Sequence, residues 1–209
     1  ESMLEVGASY VDIVKFGWAT SAVVENLDAK IDLYQRRGIP ICCGGSMFEV
    51  AVKRGQLEDY IAFLKDKDFK LVEVSDGVVE MPTSEKLGYI ERLAKDFRVL
   101  SEVGSKDKDK VIAPYRWVKE IKDELSAGAW KVVTEGRESG TVGLYRESGE
   151  VRMGLIEEIE RDINSDNLIF EAPQKAQQVW FVTHLGVNVN LGNIAPDEVI
   201  SLETIRQGL

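Results

Sequence analysis

Histidine is almost missing from this chain, cysteine is scarce, and long apolar runs are absent. The single histidine, His184, argues against histidine-based metal sites and against Ser/His/Asp triads. Cys42 and Cys43 are the only cysteines and stand side by side, so they supply neither a disulfide framework nor a metal-ligand spacing. No run approaches the roughly 20 apolar residues that a membrane span needs. The opening ESMLEVGASY is not a basic stretch leading into an apolar one. The expected location is cytoplasmic, with no membrane partner. Clustered basic residues are also lacking. A net charge of −10 and a pI near 4.8 speak against a nucleic-acid surface, while leaving room for a local pocket that takes a small anion. No strand opens on a GxGxxG turn, so dinucleotide binding gains no support. Chemistry here must run on carboxylates, lysines, arginines and backbone amides.

What is present is ordinary in amount and regular in order. With 209 residues and 44% hydrophobic content, the chain can bury a substantial core, and one domain over 1–209 is expected. Strand-like segments are expected over 10–17, 39–45, 69–77, 97–106, 129–138, 167–173 and 188–193. Helical spacing is expected over 27–38 with Asn26 as its cap, 47–65 with a break near Gly55, 84–96, 114–128, around 156–161, 175–186 and 196–208. Strands linked by helices favour parallel pairing, either as an open doubly wound sheet or as a closed eight-stranded barrel. Polar residues recur at the carboxyl ends of the strands: Lys15, Glu73, Asp76, Glu102, Glu135, Arg137, Glu171, Asn190 and Asn193. A barrel explains this, because all those ends converge on one rim. The expected class is an α/β protein with a (β/α)8 TIM barrel, one strand short. The chain opens in what reads as the last turns of a helix, so the first strand and most of the first helix are expected to lie outside these residues.

The strand ends supply the candidate site. Lys15 interrupts an apolar strand, which suits a pocket lysine better than a surface one. Gly17, Gly44 and Gly45 permit tight turns or close ligand approach. Several carboxylates on one rim repel unless a cation compensates them, and magnesium suits oxygen ligands where phosphate is also bound. Asp76, Glu102 and Glu135 are the expected metal contributors. Lys15, Lys106, Arg137 and Lys175 are the basic candidates, and Arg137 offers a planar fork to a phosphate or carboxylate. Backbone amides at Gly192 and Asn193, ahead of a helix, suit a phosphate. In TEGRESG, Arg137 is read as the anion anchor, with Glu135 orienting it or helping to hold the metal, and Glu138 fixing the loop. His184 is read as structural or superficial.

The stretches VDIVKFGWATS, GGSMFEVA, VEVSDG, LSEVGSK, TEGRESGTVGLY, FEAPQKAQQVWF and NVNLGNIAPDEVISLETIRQGL resemble the phosphosulfolactate synthase family. That family takes in archaeal enzymes of coenzyme M biosynthesis, similar bacterial proteins and plant heat-stress-associated relatives. The resemblance covers essentially the whole chain and implies a (β/α)8 barrel. It implies a carbon–sulfur bond-forming lyase that adds sulfite to phosphoenolpyruvate, with magnesium, to give (2R)-phospho-3-sulfolactate. Negative charge then develops on the substrate as an aci-carboxylate, stabilised by magnesium and a nearby cation. By the same resemblance Lys106, the lysine of Gly104-Ser105-Lys106, is the general acid that protonates C2. Lys106, Arg137 and Glu135 are thus the expected catalytic residues. Lys15, Gly45, Ser75, Arg137, Lys175, Gly192 and Asn193 are the expected substrate contacts. Two departures stand out: the family's usual FGWGTS reads FGWATS, and its commoner GGTLFE reads GGSMFE. Other functions remain open on the same residues: a different magnesium-dependent barrel enzyme acting on a phosphorylated enolic acid, or a non-enzymatic stress-associated protein. Expected partners are small molecules and further copies of the chain in a homo-oligomer.

Overall fold

Seven short strands alternate with helices in a computed structural model that describes residues 2–105, 112–137 and 139–209. Lys106 and Glu138 lie outside the described residues. The strands are β1 (Val14–Phe16), β2 (Ile41–Cys43), β3 (Leu71–Val74), β4 (Arg98–Val103), β5 (Ala129–Thr134), β6 (Leu168–Glu171) and β7 (Leu191–Gly192). The helices are α1 (Ser2–Gly7), α2 (Leu27–Gln35), α3 (Gly45–Lys53), α4 (Leu57–Asp66), α5 (Thr83–Leu93), α6 (Pro114–Ser126), α7 (Met153–Asp162), α8 (Lys175–Leu185) and α9 (Val199–Arg206). The sheet order is β1-β2-β3-β4-β5-β6-β7, following the chain without reversal. The described registers are parallel, with Lys15 opposite Cys42, Glu73 opposite Leu100 and Glu171 opposite Gly192. A doubly wound sheet reverses its strand order partway, whereas a (β/α) barrel advances in one direction. The order therefore decides for the barrel class.

The described residues divide into two compact units. One comprises Val11–Glu102 with Ala127–Trp130. Every residue of β2 and β3 is buried there, as expected for parallel strands covered on both faces. Phe16 meets Phe69 edge-on at 6.3 Å between ring centroids, and Phe63 lies 5.9 Å from Phe69. Helices α3 and α4 are separated where Gly55 takes a φ of +66°, the break expected near that glycine. Asn26 precedes α2, but its side chain makes no capping hydrogen bond. Gly45, expected at the end of a strand, instead opens α3.

The other unit comprises Glu1–Tyr10, Val103–Ser126 and Lys131–Leu209. Trp117 is fully buried, and Phe170 stacks on Phe181 at 4.7 Å. Gly7 of α1 sits so close to α9 that an added Cβ would lie 3.1 Å from Val199 Cγ1. Strand β7 is shorter than expected. It pairs with β6, while the carbonyls of Val187 and Val189 just before it accept hydrogen bonds from Arg206. The backbone groups that would extend the ladder are satisfied by a side chain instead.

Burial of the paired cysteines has a consequence for stability. Burial pushes the Cys43 thiol up to about 11, against the pull of the Ser21 hydroxyl. Cys42 is raised well above its ordinary range by burial and then by the charge of Glu73. The folded chain thus keeps protons that the unfolded chain releases above about pH 9. This contribution is complete below pH 9 and is lost as pH rises toward 11, by on the order of 3 kcal/mol from Cys43. Urea midpoints should therefore fall between pH 7.5 and 10.5, and fall less in Cys43→Ala. Equal midpoints at both pH values would refute it.

Candidate active site

Charged side chains gather after the strand ends in each unit. In the unit of β1 to β3, Lys15 Nζ lies 3.2 Å from Glu73 Oε2, and the amide of Gly45 donates to Glu73 Oε1 at 2.7 Å. Gly45 has no space for a side chain, since a Cβ would stand 2.0 Å from Ser75 Oγ. The close approach expected of this glycine is made by the protein's own Ser75. The Ser75 hydroxyl is fully buried and donates to Glu49. Glu49 also accepts from the amides of Gly77 at 3.2 Å, Val78 at 2.7 Å and Val79. One buried carboxylate therefore shapes the whole turn after β3. Next to it, Lys86 of α5 is almost fully buried, with its ammonium 2.9 Å from Asp76 Oδ1 and bonded to the carbonyl of Glu102.

In the other unit the turn after β5 is held as firmly. Glu135 Oε1 accepts from the amide of Arg137 at 2.6 Å. Glu171 Oε2 accepts from Gly136 and Arg137 at 2.9 and 3.1 Å. Two amides converging on one oxygen make a backbone nest, filled here by an internal carboxylate. Arg137 has a φ of +61°, and the turn projects its side chain into solvent. The guanidinium forms no hydrogen bond or ion pair among the described residues. Tyr145 donates its hydroxyl to the Glu171 carbonyl; burial and then the Glu171 charge keep this phenol protonated. Arg152 donates to the Gly143 carbonyl at 3.0 Å.

A pair of glutamines fastens the rest of this loop. Gln177, buried at the start of α8, donates through Nε2 to the carbonyls of Gly140 at 2.8 Å and Gly149 at 3.1 Å. Its Oε1 accepts from the Gln174 amide at 3.1 Å, and Gln174 Nε2 donates to the Ser139 carbonyl at 2.6 Å. The Gln177 amide is used at both ends, so Gln177→Glu puts a second acceptor against two carbonyls. A loss of about 2–3 kcal/mol follows from unsatisfied buried groups, or roughly 4–12 °C in melting temperature for a chain of this size. Calorimetry on Gln177→Glu checks this; a melting temperature within a degree of the parent would show that the clamp contributes nothing.

The remaining expected residues are placed as follows. Lys175 begins α8 and is exposed. Gly192 lies in β7, and Asn193 follows it, half-buried with a φ of +57°. The helix expected directly after them is first a 3-10 turn at Pro196–Glu198 and only then α9. Of the expected metal contributors, Glu102 and Glu135 are buried and Asp76 is half-buried. Asp76 is paired with Lys86, and among the described residues no group of three or more His, Cys, Asp or Glu side chains is placed to hold a metal ion. Lys86, Glu49, Gln177 and Arg152 were not singled out from the sequence. Lys86 carried a signal, since it stands four and seven residues before the buried Ile90 and Leu93 on one helix face. Ala19, where the family's usual residue is glycine, has a φ of +53°, the conformation that glycine adopts at least cost.

Parallel strands advancing in chain order, with charged groups near the strand ends, define a protein of the (β/α)-barrel class. The crystal structure of 3-keto-L-gulonate-6-phosphate decarboxylase from Vibrio cholerae O1 biovar El Tor str. N16961 has this fold, with a TM-score of 0.57 at 10% identity over 99% of this chain and 90% of that one. The chain belongs to the (2R)-phospho-3-sulfolactate synthase (ComA) family, whose model matches residues 1–209. It is 44% identical to phosphosulfolactate synthase of Methanocaldococcus jannaschii, over 100% of this chain and 86% of the relative. It is 39% identical to that of Methanothermobacter thermautotrophicus, over 99% and 83%, and 41% identical to that of Bacillus subtilis, over 97% and 82%. Among the described residues no helix is long and apolar enough to cross a membrane.

Proposed function

We propose that this chain is a lyase that adds sulfite to phosphoenolpyruvate, forming the carbon–sulfur bond of (2R)-phospho-3-sulfolactate. The carrying observation is the whole-length family match, joined to an Arg137 guanidinium that has no hydrogen-bond or ion-pair partner among the described residues, on a loop whose backbone Glu135, Glu171 and Gln177 hold. The substrate brings a phosphate and a carboxylate, and a guanidinium fork pairs with either through two parallel hydrogen bonds. Glu135 and Glu171 hold the backbone beneath Arg137, so the point from which its side chain reaches for substrate is fixed. Sulfite attacks C3, and a general acid then delivers a proton to C2; Lys106 takes that role by the family resemblance.

Magnesium would be held by carboxylates drawn from Asp76, Glu102 and Glu135, since it is usually bound by one or two carboxylates together with substrate phosphate and water; Asp76 would share its carboxylate with Lys86. When bound, it supplies positive charge against the phosphate and carboxylate of the substrate. The deciding experiment incubates full-length protein with phosphoenolpyruvate, with and without sulfite, and follows the sulfonated product. Phosphoenolpyruvate consumed without sulfite would indicate a different reaction on the same barrel, and no turnover in either case a non-enzymatic role.

A further inference from the structure

We propose that the turn between Tyr145 and Leu155 carries a second binding site, for a small organic oxyanion such as a phosphate monoester. A cavity of about 620 Å³ opens there, lined by Pro114, Arg146, Val151, Arg152, Met153 and the start of α7. Glu135, Arg137 and Glu171 are not among its lining residues. Two guanidiniums share the cavity, and among the described residues neither is ion-paired.

Arg152 is the better fixed of the two. It is half-buried, and its bond to the Gly143 carbonyl at 3.0 Å sets the direction of the fork. Burial and then the charge of Arg146 weaken its hold on its proton. The half-buried Arg152 and the exposed Arg146 beside it repel, and an anion between them relieves that repulsion and the desolvation of Arg152. The scaffold does not need to move to receive it. Tyr145 and Val151 form an antiparallel bridge, Arg146 N donates to the Glu150 carbonyl at 2.8 Å, and Arg152 N donates to the Leu144 carbonyl at 2.8 Å. The Arg152 fork, held in advance by the Gly143 carbonyl, loses less freedom on binding. Pro114, Val151 and Met153 give the cavity an apolar wall. That wall suits a carbon skeleton attached to the charged head, so the ligand class is organic rather than inorganic.

The test is a site-resolved NMR titration of the full chain at constant ionic strength. Inorganic phosphate and propyl phosphate are added separately, and the amides of Val151 and Gly154 and the Arg152 side chain are followed. Saturable shifts are expected with both, with propyl phosphate binding more tightly. Arg146→Gln leaves the turn intact, because Arg146 shapes it through its backbone, and should weaken binding by at least about tenfold. Arg137→Lys should leave these shifts unchanged, so failure of the proposed sulfite chemistry would not affect this result. The proposal is overturned by unsaturable shifts, by unaltered affinity in Arg146→Gln, or by inorganic phosphate binding as tightly as its propyl ester.

Discussion

Gly143→Ala should cost this protein several kcal/mol and release the loop that carries Arg137. Gly143 holds a φ of +60°, and a Cβ built on it would stand 2.0 Å from the Glu135 carbonyl oxygen. That oxygen is also the acceptor for the Leu144 amide at 3.0 Å, so it cannot withdraw without breaking the loop's own hydrogen bond. The left-handed conformation alone costs an L-residue about 1–2 kcal/mol. A backbone overlap of this depth adds at least about 2 kcal/mol more. A total near 4 kcal/mol is a large fraction of the roughly 5–15 kcal/mol typical of folded domains, and lowers the melting temperature by about 8–16 °C. Gly88→Ala is the matching control. It lies within α5, nothing stands within 4 Å of its added Cβ, and alanine favours the helix by up to about 1 kcal/mol. If Gly143→Ala melts within two degrees of the parent, the loop rearranges freely and is not the rigid support described.

Lys106→Ala and Arg137→Lys should damage catalysis in different ways. Removing a general acid takes away an interaction made only in the transition state, so kcat falls by about 10²–10⁴-fold with little change in KM. Arg137→Lys keeps the charge and loses the fork, so KM for phosphoenolpyruvate rises and kcat/KM falls by about 10–100-fold. Lysine at 137 must also take up the left-handed φ of +61°, a strain the arginine already bears, so folding should be unaffected. Both variants are to be measured side by side on full-length protein, with thermal melting as the control for folding. Near-normal kinetics in Arg137→Lys would return TEGRESG to a purely structural role, and an unchanged kcat in Lys106→Ala would place the proton donor elsewhere.

The candidate site was only partly legible in the sequence. Glu135 and Arg137 could be placed after β5 because they follow an apolar run and precede glycines. That same logic named Asp76 as a metal ligand but gave no sign of its ion pair. The ammonium that engages Asp76 comes from Lys86, on the following helix. Ser75 was named for its place between two acids, while its partner Glu49 lies 26 residues away on α3.

Local order determined what the sequence alone could determine. Apolar periodicity and glycine stops marked seven strands and the helices between them, because those signals span only a few residues and repeat along the chain. Scarcity of histidine, cysteine and clustered basic residues excluded whole classes of chemistry in advance. The direction of the strand order, the clamp from Gln177 to Gly140 across 37 residues, the nest filled by Glu171, and the turn carried by Glu49 were decided only by the tertiary structure. Each depends on partners far apart in the chain, and a side chain's donors and acceptors do not specify which distant backbone group will reach them until the strands and helices have packed.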